Sequence, residues 1–349
     1  MIPYRTRQFL RHLLTGALVL ILVASAVLVC WLLWLGRYVV YTQDGAKLDF
    51  SLSLQFPQGV APEEPGPVPT VDIHFNEGQG GAQTPAELAQ FSGYYVTAAD
   101  LLTDFDTTVT WLKALPEGST IALQVKDVQG YFYYSSSLGR QNNDVNISKM
   151  DQLIQELKAK GHYLIARIPA FQDRYFFLDN ERERVPYGLA LDGGNGSLWD
   201  DKKNEGGACY WFNPESEGCM SFLIQIIAEL KALGFREVIL DDFRFPNTSM
   251  IKYDPDDQPE ALNNAAATLV KACATDTFAV SFACRNTDLV IPEGRTRLYL
   301  TGVLAADAAT MADKTSFADK ATHVGFLTDL HDTRFDTYCV LRPLSAAQD

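Results

Sequence analysis

Eight short runs of apolar, β-rich residues alternate with helical segments along the larger, second part of the chain. The runs begin near residues 93, 121, 163, 238, 278, 298, 323 and 338. Eight strands with helices between them are typical of a TIM-like (β/α)8 barrel of the α/β class, which takes about 250 residues. A doubly wound open sheet has the same alternation, so the pattern alone leaves both architectures open.

Apolar spacing of three and four residues predicts the helices between these strands. One helix carries Met150, Leu153 and Leu157 on one face and ends at Gly161. Others are expected at 98–114, 259–273 and 305–318, and one is expected after Asn213-Pro214, which is typical of an N-cap followed by proline. Segment 171–210 has no clear periodicity and is rich in aromatic residues, which predicts a functional lid.

The N-terminal part of the chain has a different character. The first 43 residues contain four arginines and no acidic residue, and residues 13–36 are an uncharged, mainly aliphatic run. A helix of this length spans a hydrocarbon core of about 30 Å, and the arginines before it predict a cytoplasmic N-terminus. We therefore expect a basic tail at 1–12, a transmembrane anchor at 13–36, a Pro-rich stalk at 37–88 with a possible strand at 71–75, and an extracytoplasmic barrel at 89–349.

Two other interpretations of the apolar run were weighed. A cleaved signal peptide would use the small residues Ala24-Ser25-Ala26, but the run continues for ten residues beyond them, which is long for such a segment. A buried core helix would rarely be uncharged over its whole length. The sequence therefore favours an uncleaved, single-pass anchor in the cell membrane.

Charge and cysteine content exclude several classes of function. The chain has 43 acidic against 29 basic residues, which argues against nucleic-acid binding because that requires a positive surface. Cys30 lies in the apolar run, and the other five cysteines cannot all pair with one another. They lack the spacing of a zinc site, so ordinary buried thiols are favoured over a Cys209–Cys219 bridge. No metal or cofactor is expected.

Charged residues cluster at the ends of three consecutive predicted strands, where the active sites of barrels lie. They are Lys126 and Asp127 after the second strand, Arg167 and Asp173 after the third, and Asp241, Asp242 and Arg244 after the fourth. Glycoside hydrolysis needs two carboxyl groups flanking the scissile bond, so this pattern suits that reaction. Ion pairs and turn caps at loop starts are the alternative. Because Asp241 and Asp242 are adjacent, only one of them is expected to face the lumen of an extended strand.

The blocks that carry these residues occur in the order found in a known family. The blocks are Lys126-Asp127…Gly130, 165–173, Trp199-Asp200, Trp211-Phe-Asn213-Pro214 and 234–246. Together they resemble the DUF4015 family of bacterial, glycoside-hydrolase-like (β/α)8 barrels, and the Asp-x-x-Arg-Phe-Pro element is specific. The resemblance covers about residues 92–247.

The resemblance implies a barrel that acts on a polysaccharide or cell-wall glycan. It aligns Asp241 with the fourth-strand aspartate of the family, which we interpret as a nucleophile or transition-state stabiliser, with Asp127 or Asp173 as acid/base. Other residues are expected to bind or orient the substrate: Lys126, Arg167, Trp199, Trp211, Asn213, Asp242 and Arg244. The two tryptophans would stack on sugar rings, although core packing is an equal alternative.

The sequence departs from the family pattern at several positions. Gln124 stands where the family has an aspartate, and Asp242 replaces an aromatic residue. No glutamate lies at a later strand end, where only Asp288, Asp329 and Asp332 are candidates. These departures favour a second hypothesis, a non-catalytic barrel that binds envelope glycan or assists envelope assembly. The retained Asp241 and Arg244 favour the enzyme.

Overall fold

The computed structural model describes residues 39–42, 45–48, 88–180, 184–193, 196–201, 209–292 and 294–347. The chain divides into two compact units, residues 1–78 and 79–349. In the first unit, Val39–Thr42 (β1) and Gly45–Leu48 (β2) form an antiparallel hairpin within the segment expected to be a stalk. The expected tail at 1–12, span at 13–36 and strand at 71–75 lie outside the described residues. Among the helices that are described, none is long and apolar enough to cross a bilayer.

The second unit contains eleven strands in its described part. In chain order they are Ser92–Val96 (β3), Thr120–Gln124 (β4), Tyr163–Pro169 (β5), Gln172–Asp173 (β6), Asp200–Asp201 (β7), Cys209–Trp211 (β8), Glu237–Asp241 (β9), Ala279–Cys284 (β10), Leu298–Thr301 (β11), Val324–Leu327 (β12) and Cys339–Pro343 (β13). Its α-helices are Ala98–Thr103 (α1), Phe105–Ala114 (α2), Ile147–Ala159 (α3), Tyr175–Asp179 (α4), Arg184–Tyr187 (α5), Glu217–Leu233 (α6), Gln258–Cys273 (α7), Ala308–Asp313 (α8) and Lys320–His323 (α9).

Eight of these strands close into a parallel barrel. The order around it is β3-β4-β5-β9-β10-β11-β12-β13, and β13 pairs with β3 to complete the ring. Strands of such a barrel are covered by helices outside and by side chains inside, and β10 is accordingly buried at every position. The closed ring confirms the predicted barrel and excludes the doubly wound open sheet.

Three helix predictions were wrong in detail. The helix expected at 98–114 is divided at Asp104, whose backbone leaves the helical region and whose side chain accepts a hydrogen bond from the Thr107 amide to start α2. The helix after β8 is capped by Ser216, not Asn213. The segment 305–318 contains a 3-10 turn at Ala305–Asp307 and the short α8 instead of one long helix.

A buried ionic network fills the amino-terminal end of the barrel. Glu237 and Arg297 form an ion pair there, and both side chains are at most 1% exposed. Hydroxyl groups of Tyr163, Ser281 and Tyr299 donate to the Glu237 carboxylate at 3.0, 2.6 and 2.8 Å. Such donors are required because a buried carboxylate that lacks them is strongly unfavourable. This end of the barrel is therefore sealed, and the carboxyl ends of the strands remain for a site.

All five cysteines in the described part of the chain are free and buried. This confirms the expectation of ordinary buried thiols and excludes a Cys209–Cys219 bridge. Burial raises the pKa of the Cys209 thiol to about 12, so the group stays protonated at neutral pH.

Candidate functional site

Asp241 and Arg167 form an ion pair at the carboxyl ends of two neighbouring barrel strands. They continue the inward-facing series that contains Ile239 on β9 and Ile165 on β5. The Arg167 Nε and Nη2 atoms lie 3.1 and 2.9 Å from Oδ2 of Asp241. The Asp241 side chain is 22% exposed, so it is accessible at the mouth of the barrel.

The surroundings of Asp241 act on its charge in opposite directions. Burial raises the pKa of this carboxyl group above its usual value, the Arg167 guanidinium lowers it, and the negative charge of Asp242 raises it. Tyr95, which the sequence did not single out, lies beside the pair, with its ring centroid 5.3 Å from the Arg167 guanidinium carbon. Alternation along β3 places Tyr95 on the same inner face as the interior cluster.

Asp242 adopts a conformation that the sequence did not predict. It is the one non-glycine residue with a positive φ in the described part of the chain, at 50°. This left-handed conformation is strained for a side-chain-bearing residue and ends the strand abruptly. The Asp242 carboxylate accepts a hydrogen bond from Arg244 Nε at 2.6 Å, and Arg244 in turn lies over the Trp211 ring at 5.2 Å. These two contacts connect Asp242, Arg244 and Trp211. Asp241 precedes Asp242 directly in the chain, so four of the predicted residues form one connected series.

Lys126 and Asp173 form a separate, buried pair. Their charged atoms are 2.7 Å apart and their side chains are only 3% and 2% exposed. Asp173 also accepts a hydrogen bond from the Phe176 amide at 2.7 Å, and Gly130 packs so closely that an added Cβ would lie 2.1 Å from its Oδ1. The pair joins the loop after β4 to β6. Neither charged group is accessible to a substrate in this arrangement.

Asp127 is also engaged within its own loop. Its Oδ1 accepts a hydrogen bond from the Tyr131 amide, and its Oδ2 accepts one from the Tyr133 hydroxyl, both at 3.0 Å. Burial and the charge of Asp127 raise the pKa of Tyr133 well above its usual value. The structure therefore separates the predicted carboxylates into two groups, with Asp127 and Asp173 near Lys126, and Asp241 and Asp242 near the two arginines.

The predicted lid contains a small sheet that the sequence did not reveal. Strands β6, β8 and β7 pair antiparallel in that order, and strands of two or three residues are too short to produce a periodic pattern. Between this sheet and the loop after β9 lies a cavity of about 800 Å³, whose lining includes Trp199, Asp200, Trp211, Arg244, Thr248 and Met250. We call it the lid cavity. Asn213 does not line it, because its side chain accepts from the Glu215 amide in a local turn.

The remaining candidates form no hydrogen bond or ion pair with Asp241 or Arg167 among the described residues, although Gln124 is the register partner of Arg167 on the neighbouring strand. The side-chain oxygen Oε1 of Gln124 accepts a hydrogen bond from the Ala98 amide at 2.9 Å and so connects β4 to the start of α1. Asp288 accepts from Asn286 at 2.6 Å, and Asp332 is paired with Arg334 at 2.6 Å. Asp329 is exposed, and its charge acts on Tyr95. Among the residues described, no group of three His, Cys, Asp or Glu residues is arranged to hold a metal ion.

Similar folds occur among solved structures. An α-galactosidase from Thermus thermophilus is 11% identical over 75% of this chain and 59% of its own, with a TM-score of 0.50. A hypothetical protein from Ruminiclostridium thermocellum ATCC 27405 is 19% identical over 54% of this chain and 96% of its own, with a TM-score of 0.43. A GH20 exo-β-N-acetylglucosaminidase from Vibrio harveyi is 10% identical over 69% and 42%, with a TM-score of 0.49. The chain spans less than two thirds of either enzyme, and at these identities the likeness to the α-galactosidase shows the fold alone.

The family assignment comes from the sequence. No curated protein matches the chain. The DUF4015 family model, described as "Putative glycosyl hydrolase domain", matches residues 93–279. This range includes all of β3 except its first residue, β4 to β9, and the predicted site residues from Lys126 to Arg244. Since this match spans more than half of the chain, the protein belongs to the DUF4015 family of glycosyl hydrolase domains.

Proposed function

We propose that this protein is a membrane-anchored, extracytoplasmic barrel that hydrolyses a glycan of the cell envelope. The observation that carries the proposal is the Asp241–Arg167 pair, an accessible carboxylate at the mouth of a closed barrel. Membership of a glycosyl hydrolase family supports a carbohydrate substrate, and the lid cavity, which Arg244 lines, offers aromatic side chains that suit sugar rings.

The geometry suits Asp241 as nucleophile or stabiliser of an oxocarbenium-like transition state. Arg167 holds Oδ2, and the other carboxylate oxygen has no hydrogen-bond partner among the described residues, so it is available to an anomeric carbon. Asp127 and Asp173 are engaged in contacts of their own. Asp242 is the carboxylate whose negative charge raises the pKa of Asp241. In this proposal Asp242 exchanges the proton with the leaving group or with water, and its contact with Arg244 at 2.6 Å fixes the position of its carboxylate.

The direct test is hydrolysis by the full-length protein in detergent. Purified wall glycans and α- and β-linked oligosaccharides would be incubated with the wild type, Asp241→Asn and Asp288→Asn, and new reducing ends would be measured. We expect turnover by the wild type, a loss of about 10³-fold or more in Asp241→Asn, and no loss in Asp288→Asn, which removes an exposed carboxyl group. Equal turnover by Asp241→Asn and the wild type would refute the role of Asp241.

A non-catalytic glycan-binding barrel is the second candidate. The observation that favours it is that the expected acid/base residues are tied up in hydrogen bonds and an ion pair, while Gln124 occupies the position of a family aspartate. This function predicts glycan binding without turnover by the wild type, and equal binding by Asp241→Asn. Isothermal titration calorimetry alongside the hydrolysis assay separates the two functions.

The membrane anchor is a further part of the proposal and rests on the uncharged run at 13–36. We expect the full chain to sediment with membranes after a carbonate wash, and a variant that lacks residues 1–36 to be released. Added protease should reach the barrel domain from the extracytoplasmic side only. Retention of the truncated chain in washed membranes would contradict this part of the proposal.

A further inference from the structure

One carboxylate in the lining of the lid cavity indicates what kind of ligand the cavity binds. Asp200 lines this cavity and is half-buried in β7. Its side chain has neither an ion pair nor a hydrogen bond among the described residues, in contrast to Asp127, Asp173, Asp241 and Asp242 of the strand ends. A half-buried carboxylate without a partner is unfavourable, and a cation that fills the cavity would relieve this cost.

Two indole groups lining the same cavity also lack hydrogen-bond partners. The Nε1 atoms of Trp199 and Trp211 are buried and have no acceptor within the described part of the chain, and the Trp211 side chain as a whole is only 1% exposed. Buried indole N–H groups normally find an acceptor. Hydroxyl or ring oxygens of a bound sugar are acceptors of the right kind.

Among the described residues that line the cavity, Arg244 is the cationic one, and its charge is already neutralised. Arg244 donates to Asp242 at 2.6 Å and to the Phe245 carbonyl oxygen at 2.9 Å. It also covers a face of the Trp211 ring. The ring of Trp199 has no such cover among the described aromatic and cationic contacts. The lining also includes Asp201, which does have a partner. Within the described part of the chain, the cavity therefore combines the unpaired carboxylate of Asp200, donor groups and an aromatic surface.

We propose that the lid cavity is a subsite for an amino sugar with a free, protonated amine. In this proposal the ammonium group pairs with Asp200 and the sugar face packs on Trp199, where a cation near the ring gains further attraction. Oxygen atoms of the same sugar accept from the two indole groups. The volume of about 800 Å³ lies within the range of small-ligand sites. The inference rests on the proposed glycan-binding function and narrows its substrate class.

The test compares two oligosaccharides of equal length, one of glucosamine and one of N-acetylglucosamine, since acetylation removes the positive charge. Binding to the full-length wild type, Asp200→Asn and Asp192→Asn would be measured by calorimetry at neutral pH. Asp192→Asn is the matched control, because it removes an exposed carboxylate from the same lid outside the cavity lining. Melting curves would establish that the three proteins are equally folded.

We expect the wild type and Asp192→Asn to bind the glucosamine oligomer at least about 10-fold more tightly, the effect of one charge-assisted contact of about 1.4 kcal/mol. Asp200→Asn should lose that preference and keep its affinity for the acetylated oligomer. A wild type without preference, or an Asp200→Asn variant that retains it, overturns the inference while binding to glycans still supports the proposed function. Failure to bind either oligomer also overturns the inference, and the proposed function is then decided by the hydrolysis assay.

Discussion

Arg167 is the residue that controls the charge of Asp241. Burial and the neighbouring Asp242 both raise the pKa of the Asp241 carboxyl group, and the guanidinium of Arg167 is the one described group that opposes them. A nucleophilic carboxylate must be ionised. A raised pKa therefore keeps Asp241 protonated up to a higher pH, and the rate falls as the pH drops through that value.

The change Arg167→Gln tests this coupling. Loss of the positive charge should raise the pKa of Asp241 further, so the acidic limb of the kcat/KM profile should move to higher pH by about one unit or more. Arg285→Gln, which removes an exposed arginine from the loop after β10, should leave the limb unchanged. An acidic limb that stays in place in Arg167→Gln would show that another group governs it.

At the scale of elements, the barrel strands were predictable because burial on both faces makes each a continuous apolar run. All eight were predicted to within a few residues. The helix break at Asp104 was not, because a capping side chain overrides the apolar periodicity on either side of it. The small sheet of β6, β7 and β8 was not predicted either. These strands form because they pair with distant segments and not because of their own composition.

The candidate site was predictable only in part, because the contacts of a side chain also depend on partners that are distant in the sequence. Strand-end positions correctly brought Asp241 and Arg167 together, because both follow the inward alternation of neighbouring strands. The sequence could not reveal that Lys126 and Asp173 neutralise each other in a buried contact, nor that a positive φ turns Asp242 toward Arg244. Those outcomes depend on three-dimensional partners and on one strained residue.

Gly130 allows the loop after β4 to pack closely against Asp173 in β6. This glycine has a φ of +94°, and a Cβ there would lie 2.1 Å from Oδ1 of Asp173. Gly130→Ala should therefore disrupt the Lys126–Asp173 pair and lower the free energy of unfolding by about 3–5 kcal/mol. Urea denaturation provides the measurement.

Gly118→Ala is the matched control for that change. Gly118 has a similar φ of +78° but no atom within 4 Å of an added Cβ. Only the left-handed backbone is then unfavourable, with an expected cost of about 1–2 kcal/mol. Equal losses in the two variants would mean that the buried ion pair adjusts freely to the extra methyl group.

On the scale of the whole barrel unit, the two ends of the barrel use ion pairs in different ways. At the amino end, the Glu237–Arg297 pair is enclosed by three hydroxyl donors and has almost no contact with water. At the carboxyl end, the Asp241–Arg167 pair is partly exposed, and one Asp241 oxygen has no hydrogen-bond partner among the residues that the structure describes. Because its hydrogen-bonding groups are fully satisfied, the Glu237–Arg297 pair suits a stabilising role. The Asp241–Arg167 pair has hydrogen-bonding capacity left, which suits contact with a ligand.

Arg297→Met tests the stabilising role of the inner pair. It would leave a buried carboxylate on Glu237 without its cation, so we expect the free energy of unfolding in urea to fall by about 3–5 kcal/mol. The double change Arg297→Met/Glu237→Gln removes the charge as well and should recover part of that loss. Arg140→Met breaks the exposed Arg140–Asp179 pair, whose side chains are 47% and 40% exposed, and should alter stability by less than about 1 kcal/mol. If Arg297→Met proves no more destabilising than Arg140→Met, the closed end of the barrel is stable without its ion pair, because water or the hydroxyl groups alone then satisfy Glu237.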